Sequence, residues 1–410
     1  MINNQVRKYS TIIKIITTVI FIFLIYLTLN KKPNLNKEAE QYFRETGFIT
    51  CGGNLIETGW NLSKSDANDF FIIGDTMSFG NGGKDFYLIK IDSNGELIYT
   101  RTFGDYGNDI GISITKSRNG YLLAGATNSY GNGDNDVYII AIDENGEKLW
   151  DKTYGGKNHD FAYSIIPDKD TFVLAGYSSS FNNLLNSDGY ILKVKENGKT
   201  IWEKVYGGDR WDIFYSIIKD GDSYIAAGYT DSFGAGKTDM YVVKIDLNGN
   251  TKWSKTYGGM REDRATTIIK CNNGGYLIGG KSSSYIARGF GWDILIIRID
   301  DNGNTKWLKS FPASELEIGN SIIQEQDNGF VIAGIKKCYG ICDSNVYIIR
   351  TDADGNTKWI RIFANKRDDI ANSIVKVNDG YIISGTTNSS GNGAGDILLM
   401  KIGFDGEKVW

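Results

Sequence analysis

Histidine, proline and cysteine are scarce in this sequence. Its 410 residues include one histidine, His159, with three prolines and four cysteines. A single imidazole excludes a multi-histidine metal site and a His-based catalytic triad, and we expect His159 to be a surface-loop residue. Four cysteines are too few for a disulfide framework, so the stability of the fold has to come from packing.

A broad excess of basic residues is also missing. The chain carries 45 Lys and Arg against 49 Asp and Glu, which gives a formal net charge of −4 and a pI near 5.4. Such a chain has no general positive field that could neutralise a nucleic-acid backbone. We therefore do not expect nucleic acid as a partner.

Glycine and aromatic residues, by contrast, are abundant. Fifty Gly, 24 Tyr and nine Trp are typical of short strands joined by tight turns. One tryptophan recurs every 51 to 54 residues, with a tyrosine in its place in the first unit. A period near 50 residues falls in the range of β-propeller blades. The recurring positions are Tyr99, Trp150, Trp202, Trp253, Trp307, Trp359 and Trp410.

Each repeat contains four candidate strands separated by turn residues. The third and fourth strands are joined by a D-x-N-G turn, as at 92–95, where Asn and Gly supply the positive φ angles of a tight hairpin. An acidic residue opens the first strand of each repeat, and seven such residues give seven blades. We predict an all-β fold, a seven-bladed β-propeller of four-stranded blades over residues 48–410. The seven blade carboxylates are Glu57, Asp109, Asp160, Asp212, Asp263, Glu317 and Asp369.

The two ends of the repeat region predict how the ring closes. The last unit stops at Trp410, where the others continue with a segment such as DKTYGG. The matching segment, FITCGG at 48–53, stands instead at the start of the domain. A last blade built from both ends of the chain closes the ring without exposing strand edges.

An apolar segment precedes the repeats. Residues 15–29 read IITTVIFIFLIYLTL after a basic start, and no small-x-small cleavage site follows. We predict a signal anchor, a single hydrophobic transmembrane helix, in residues 1–30 and a polar linker in residues 31–47. A removed signal peptide and a buried helix are the alternatives. We expect an extracytoplasmic protein held to the membrane, at the cell surface or in the periplasm, and secreted if the segment is cleaved.

The repeat also carries a family resemblance. The pattern D-x-Y-x-x-K-x-D-x-N-G-x-x-x-W-x-K-x-Y-G-G, seen as DMYVVKIDLNGNTKWSKTYGG from Asp239, resembles the prokaryotic β-propeller repeats of exported and surface proteins. Its hairpin and tryptophan are similar to those of quinoprotein-type propellers. The resemblance implies the fold and no cofactor, because an adjacent cysteine pair and a quinone site are missing. Such repeats occur in proteins of many roles, so the resemblance fixes no function.

The seven blade carboxylates have two interpretations. At one mouth of the central channel they could form a rim that binds a cation or a cationic ligand. Alternatively, each accepts hydrogen bonds from its own loop and from the Ser four residues later, as in Asp160 with Ser164. A feature present in every blade favours the structural interpretation. A second acidic set opens the third strands and is interpreted as structural too: Asp85, Asp136, Asp188, Asp239, Asp293 and Asp396.

Departures from the repeat indicate where a ligand could bind. Three loops between second and third strands, at 181–187, 285–292 and 338–344, and the connector at 311–317 differ from their regular counterparts. Exposed aromatic and Arg side chains are typical of binding surfaces, although loops also vary by neutral drift. The candidate ligand-binding residues are Arg210, Trp211, Arg288, Phe290 and Trp292. In one of these loops Cys338 and Cys342 could form a local disulfide, and zinc binding lacks the two further ligands it needs.

These features favour a membrane-anchored, extracytoplasmic β-propeller that acts as a binding scaffold for a protein or a glycan. The alternative is a glycan-active lyase or hydrolase that uses carboxylates at the channel mouth. A purely structural surface-layer protein is a third hypothesis. We predict no metal and no cofactor.

Overall fold

Seven antiparallel sheets follow one another along the described part of the chain. The computed structural model describes residues 42–45, 48–65, 68–181, 186–286, 291–312, 316–337 and 343–410. The predicted segment at 1–30 and most of the predicted linker lie outside these residues. Each sheet is one blade, and in blades 1 to 6 the strands run from the channel outward in chain order.

The strand bounds of the first four blades repeat at a spacing of about 52 residues. Blade 1 contains β3 (Glu57–Lys64), β4 (Phe70–Thr76), β5 (Asp85–Ile91) and β6 (Leu97–Phe103). Blade 2 contains β7 (Asp109–Ser117), β8 (Gly120–Thr127), β9 (Asp136–Ile142) and β10 (Lys148–Tyr154). Blade 3 contains β11 (Asp160–Asp168), β12 (Thr171–Ser178), β13 (Asp188–Lys195) and β14 (Thr200–Tyr206). Blade 4 contains β15 (Asp212–Asp220), β16 (Ser223–Thr230), β17 (Asp239–Asp246) and β18 (Thr251–Tyr257).

The remaining three blades follow the same plan. Blade 5 contains β19 (Asp263–Lys270), β20 (Tyr276–Ser282), β21 (Asp293–Ile299) and β22 (Thr305–Phe311). Blade 6 contains β23 (Leu316–Gln324), β24 (Phe330–Lys337), β25 (Ser344–Thr351) and β26 (Thr357–Phe363). Blade 7 contains β27 (Asp369–Val377), β28 (Gly380–Thr387), β29 (Asp396–Ile402), β2 (Phe48–Cys51) and β1 (Tyr42–Glu45).

The ring closes in blade 7, as the sequence predicts. β2 pairs antiparallel with β29, with Ile49 opposite Leu399. The C-terminal residue also pairs with β29 of this blade, where Lys401 N donates to Trp410 O at 2.7 Å. One difference from the sequence-based expectation is β1. Residues 42–45, expected in a polar linker, pair with β2 and make this the one sheet of the described chain with five strands.

The recurring tryptophans join each blade to the next. Trp202 Nε1 of blade 3 donates to Leu247 O in the hairpin turn of blade 4, at 3.1 Å. In that turn Gly249 has φ of 77°, and a Cβ built there would lie 3.2 Å from Trp202 Cζ3, so both the backbone and the packing require glycine. Trp410 packs in the same way on Gly95 of blade 1, which completes the circle.

The core lies between the blades. The second and third strands of a blade are buried along almost their whole length, because a neighbouring blade covers each of their two faces. One cluster, for example, combines Val173 and Ala175 of blade 3 with Ala226 and Val243 of blade 4. This explains why the sequence shows continuous apolar runs in these strands and alternation in the outer ones.

One face of the ring carries both the blade connectors and the loops between second and third strands. We call it the connector face. The two kinds of segment are hydrogen-bonded to each other across each described blade boundary, as in Asp160 N to Asn135 O at 2.7 Å and Asp212 N to Ser187 O at 2.8 Å. First strands therefore enter the channel from this face, where the sequence predicts the irregular loops.

Candidate functional site

The seven blade carboxylates are buried inside the blade boundaries. Each has no exposed surface. Asp212 is representative, because it accepts Gly208 N from its own connector at 2.8 Å and Ser232 Oγ from the following loop at 2.7 Å. Burial raises the pKa of Asp212 and of Asp369. These groups bind loops and are not available to a ligand at the channel mouth.

The serine four residues after the carboxylate has a different role from the one expected. Ser164 and its counterparts line the channel, and several of the counterpart hydroxyls bond to the next blade rather than to the carboxylate. Ser113 Oγ of blade 2 accepts Ile165 N of blade 3 at 3.3 Å, and Ser216 Oγ of blade 4 accepts Ile268 N of blade 5 at 3.3 Å. The carboxylates are bonded instead by hydroxyls at the end of the second strand and in the loop after it, as Ser180 Oγ bonds to Asp160 at 2.6 Å.

The second acidic set is buried beside the first. Asp396 accepts Gly393 N at 3.2 Å, and a Cβ on Gly52 would collide with Asp396 on one side and Glu57 on the other. Two carboxylates thus flank one connector glycine. Burial, with the nearby Glu57 charge, raises the pKa of Asp396 to about 6, and burial likewise raises that of Asp85 to about 6.

The channel wall is built by a β-bulge in every first strand. The register of each first strand shifts by one residue against its second strand, and the extra residue is left unpaired. In blades 5 to 7 the bulged residue is polar, and in blades 1 to 4 it is apolar or aromatic. The seven bulged residues are Trp60, Ile112, Tyr163, Tyr215, Thr266, Asn320 and Asn372.

The polar bulge residues bond across blade boundaries. Thr266 Oγ1 donates to Gly319 O of blade 6. Asn320 Nδ2 donates to Ala371 O of blade 7 at 2.9 Å, and Asn372 Nδ2 donates to Gly59 O of blade 1 at 2.9 Å. This half of the channel is therefore a hydrogen-bonded structural seam.

The opposite half is an aromatic wall. Tyr163 and Tyr215 have ring centroids 4.7 Å apart across the boundary between blades 3 and 4. Phe161 lies 4.7 Å from Tyr163 and stacks on Tyr177 at 6.0 Å, and Tyr229 extends the row 6.1 Å beyond Tyr215. We call these five residues the aromatic wall. Burial raises the pKa of each of its four tyrosines, to about 12 for Tyr215, so they remain neutral phenols.

The aromatic wall borders a cavity in the channel. The cavity has a volume of about 490 Å³, which is in the range of small-ligand sites. Its lining combines Phe161, Tyr163 and Tyr215 with serine, threonine and asparagine side chains from the other blades. The cavity thus has an apolar, flat-faced side and a polar side.

A group of cations lies at one end of the aromatic wall. The Arg264 guanidinium is 4.5 Å from the Tyr229 ring centroid and 5.8 Å from that of Trp292, and Lys281 Nζ is 4.4 Å from the Trp292 centroid. Glu262 Oε2 lies 3.4 Å from Arg264 Nη2. Burial, together with the charge of Arg264, lowers the pKa of Lys281.

Blade 1 also places charged side chains beside the cavity. Trp60 Nε1 donates to Asp75 Oδ1 at 2.7 Å, and Lys84 Nζ lies 2.9 Å from Asp75 Oδ2. The carboxylate of Asp75 is buried and paired. This carboxylate holds the Trp60 indole in the channel wall and is not an unpaired acid.

The comparisons with known proteins concern the fold. No protein-family model matches the chain. It is 23% identical over 226 residues to the regulatory protein FlaEY of Caulobacter vibrioides, covering 47% of this chain and 24% of that protein. It is 22% identical over 266 residues to an uncharacterized protein of Aquifex aeolicus, covering 62% of this chain and 65% of that protein. The chain thus spans less than two thirds of either relative.

A solved structure decides the architecture. The WD40 β-propeller domain of Doa1 matches with a TM-score of 0.53 at 11% identity, covering 87% of this chain and 97% of that domain. The chain shares the β-propeller fold of that domain. At this identity the likeness shows the propeller alone and says nothing of a ligand.

The sequence-predicted ligand residues occupy different places on this propeller. Trp211 lies in the connector between blades 3 and 4 with 45% of its surface exposed, and Arg210 N is bonded to Ser232 Oγ at 3.0 Å. Trp292 is half-buried at the boundary of blades 5 and 6, where its O accepts Glu317 N at 2.7 Å. Trp292 thus joins the cation group, whereas Trp211 belongs to an exposed connector. Arg288, Phe290, Cys338 and Cys342 lie outside the described residues.

The sequence analysis missed the aromatic wall. Its signal is the comparison of the seven first strands at the position after the carboxylate and at the bulge, where blade 3 carries the aromatic pair Phe161 and Tyr163 and the other six blades carry no such pair. His159 is half-exposed on the connector face, with Nδ1 2.9 Å from Asn135 Nδ2.

The described residues contain neither a metal cluster nor a membrane-spanning helix. Within the described ranges there is no cluster of three or more His, Cys, Asp and Glu side chains arranged to hold a metal ion. Within those same ranges no helix has the length and apolar character to span a membrane.

Proposed function

We propose that this protein is a binding module whose ligand occupies the mouth of the central channel on the connector face. The observation that carries the proposal is the asymmetry of the channel wall. Seven blades of nearly the same construction leave one sector with five aromatic rings in a row and an adjoining cation group. Blade construction alone explains features shared by all blades, and it does not explain this one.

The chemistry of the sector fits a ligand with flat apolar faces and polar edges. Tyrosine offers a large contact area with few rotatable bonds, which lowers the entropy lost on binding. The cavity is too small for a folded domain and holds a short chain or a few sugar rings. A glycan is therefore the preferred ligand, and an extended peptide loop is the alternative.

The membrane-anchored, extracytoplasmic location remains part of the proposal. Its support is the sequence of residues 15–29 and the basic start before it. A fusion of residues 1–47 to a reporter that is active on only one side of the membrane tests it. Activity on the cytoplasmic side would overturn it.

The lyase or hydrolase alternative has less support. The blade carboxylates are buried and hydrogen-bonded, and Asp75 is paired with Lys84, so the described channel wall offers no exposed pair of carboxylates for acid–base work. The wall tyrosines are neutral phenols whose pKa values are raised, which makes them poor general bases.

A binding screen tests the proposed function. The full chain is screened against glycan and surface-protein arrays beside the double variant Tyr163→Ala/Tyr215→Ala. Tyr106→Ala is the matched control, since Tyr106 is an aromatic residue 86% exposed in another connector on the same face. We expect the ligands of the wild type to be retained by the control and lost by the double variant. Equal binding by all three proteins would refute the site.

A further inference from the structure

Blade 5 places two positive charges directly opposite each other at the channel mouth. Arg264 of β19 and Lys281 of β20 are register partners. Like charges in this position destabilise a sheet. At the same position the other blades pair neutral or singly charged residues: Thr58 with Asp75, Ile110 with Ala126, Phe161 with Tyr177, Ile213 with Tyr229, Ile318 with Ile335, and Ile370 with Thr386.

The surroundings of the two cations compensate them only in part. Glu262 contacts one edge of Arg264, and the charge of Asp231 acts on the same guanidinium without an ion-pair contact. Lys281 has no carboxylate within 4 Å among the described residues, and Arg264 Nε is buried without a hydrogen-bond partner there. Both side chains rest on the face of Trp292, which attracts cations but supplies no negative charge.

The Arg264 and Lys281 side chains lie next to the aromatic wall. Arg264 contacts the ring of Tyr229, and Tyr229 adjoins Tyr215, which lines the cavity. A ligand on the wall therefore extends toward Arg264 and Lys281 without leaving the connector face. The Arg264 side chain is 31% exposed, so an anion can reach it.

We propose that Arg264 and Lys281 form a carboxylate subsite and that the ligand of the channel mouth is an acidic glycan, with a uronic-acid carboxylate at these cations and sugar rings on the aromatic wall. This inference rests on the proposed function. A sugar fits the wall because its apolar C–H face covers an aromatic ring while its hydroxyls remain at the edges. Hydroxyl and amide groups line the other side of the cavity, where Ser321 keeps its own hydrogen to donate after accepting Ile374 N.

The test uses a matched pair of probes on the full chain, namely a galacturonic acid trimer and the same trimer as its methyl ester. The ester removes the charge and keeps the sugar rings. We expect the acid to bind about tenfold or more tightly than the ester, and its advantage to shrink as salt is raised. The single variants Arg264→Gln and Lys281→Gln should reduce affinity for the acid toward that of the ester and leave affinity for the ester unchanged.

Further outcomes separate the inference from the proposed function. Equal binding of acid and ester, or failure of both trimers to bind, would overturn the acidic-glycan inference. Binding of a glutamate-rich peptide in preference to the acid trimer would also overturn it, in favour of a peptide ligand. In each of these cases the proposed function is tested separately by the array result for Tyr163→Ala/Tyr215→Ala. That double variant changes only the aromatic wall and leaves every charged side chain in place.

Discussion

Tyr163 and Tyr215 face each other across the boundary of blades 3 and 4, with ring centroids 4.7 Å apart. Both are the bulged residue of a first strand, the position that blades 5 to 7 fill with a polar side chain that bonds to the next blade. In place of a cross-blade hydrogen bond, these two neighbouring blades thus have a tilted pair of rings in contact at the cavity. This exchange is the structural sign of a binding site in an otherwise regular ring.

The closure of the ring predicts a stability effect at the last residue. Trp410 is half-buried against Gly95 of blade 1, so Trp410→Ala removes one of the contacts that join the last blade to the first. We expect the free energy of unfolding to fall by about 2 kcal/mol. Urea unfolding measures it, and Val409→Ala, at a residue 57% exposed, should change stability by less than about 0.5 kcal/mol. Equal effects of the two substitutions would contradict the closure.

A buried ion network on the opposite face predicts a second effect. Asp168 of blade 3 accepts hydrogen bonds from Lys193 and from Tyr224 and Lys219 of blade 4. These donors outweigh burial and lower the pKa of Asp168 to about 2. Asp168→Asn should therefore cost about 2 kcal/mol at neutral pH.

The pH dependence of the Asp168→Asn effect follows from the direction of the Asp168 pKa shift. The folded pKa of Asp168 is below the unfolded value, so its contribution is present above pH 3.8 and is lost as pH falls from 3.8 toward 2. The difference in unfolding free energy between wild type and Asp168→Asn should shrink over this interval. Asp354→Asn, at an exposed carboxylate in a hairpin turn, is the control. A difference that does not change with pH would contradict the assignment.

In the second acidic set, Asp85 and Asp396 have pKa values shifted in the opposite direction from that of Asp168. The pKa of Asp85 and of Asp396 is raised to about 6, so the folded protein binds these protons before the unfolded chain does. Stability should rise as pH falls from 7 toward 4, before the loss from Asp168 begins. Urea midpoints at pH 7.5, 6 and 4.5 measure this, and Asp396→Asn should reduce the rise. A midpoint that falls steadily over this range would show that the prediction is wrong.

The architecture could be predicted from the sequence because its determinants are local and repeated. The Trp positions, the D-x-N-G turns and the split between Trp410 and Phe48 each follow from short-range patterns, and the structure confirms seven blades closed at that split. The strand at 42–45 was not foreseen, because YFRE carries no repeat signal and gains its place only by pairing with β2.

The site was harder to predict because it depends on contacts between repeats. Trp292 was found as an irregular residue, yet its partners Arg264 and Lys281 come from strands that read as regular. The role of the channel serines could not be derived from spacing either. Ser164 is four residues from Asp160 in sequence, but a bulge intervenes, and the hydroxyl faces the channel rather than the carboxylate.

The most direct test of the channel-mouth site compares two aromatic residues on one ligand. Using any ligand identified on the arrays, the dissociation constant is measured by calorimetry for wild type, Tyr215→Ala and Trp211→Ala. Tyr215 belongs to the aromatic wall and Trp211 to the exposed connector between blades 3 and 4. We predict that Tyr215→Ala weakens binding by about tenfold or more and Trp211→Ala by less than about threefold. A larger loss of affinity for Trp211→Ala than for Tyr215→Ala would place the ligand on the exposed connector and contradict the channel-mouth site.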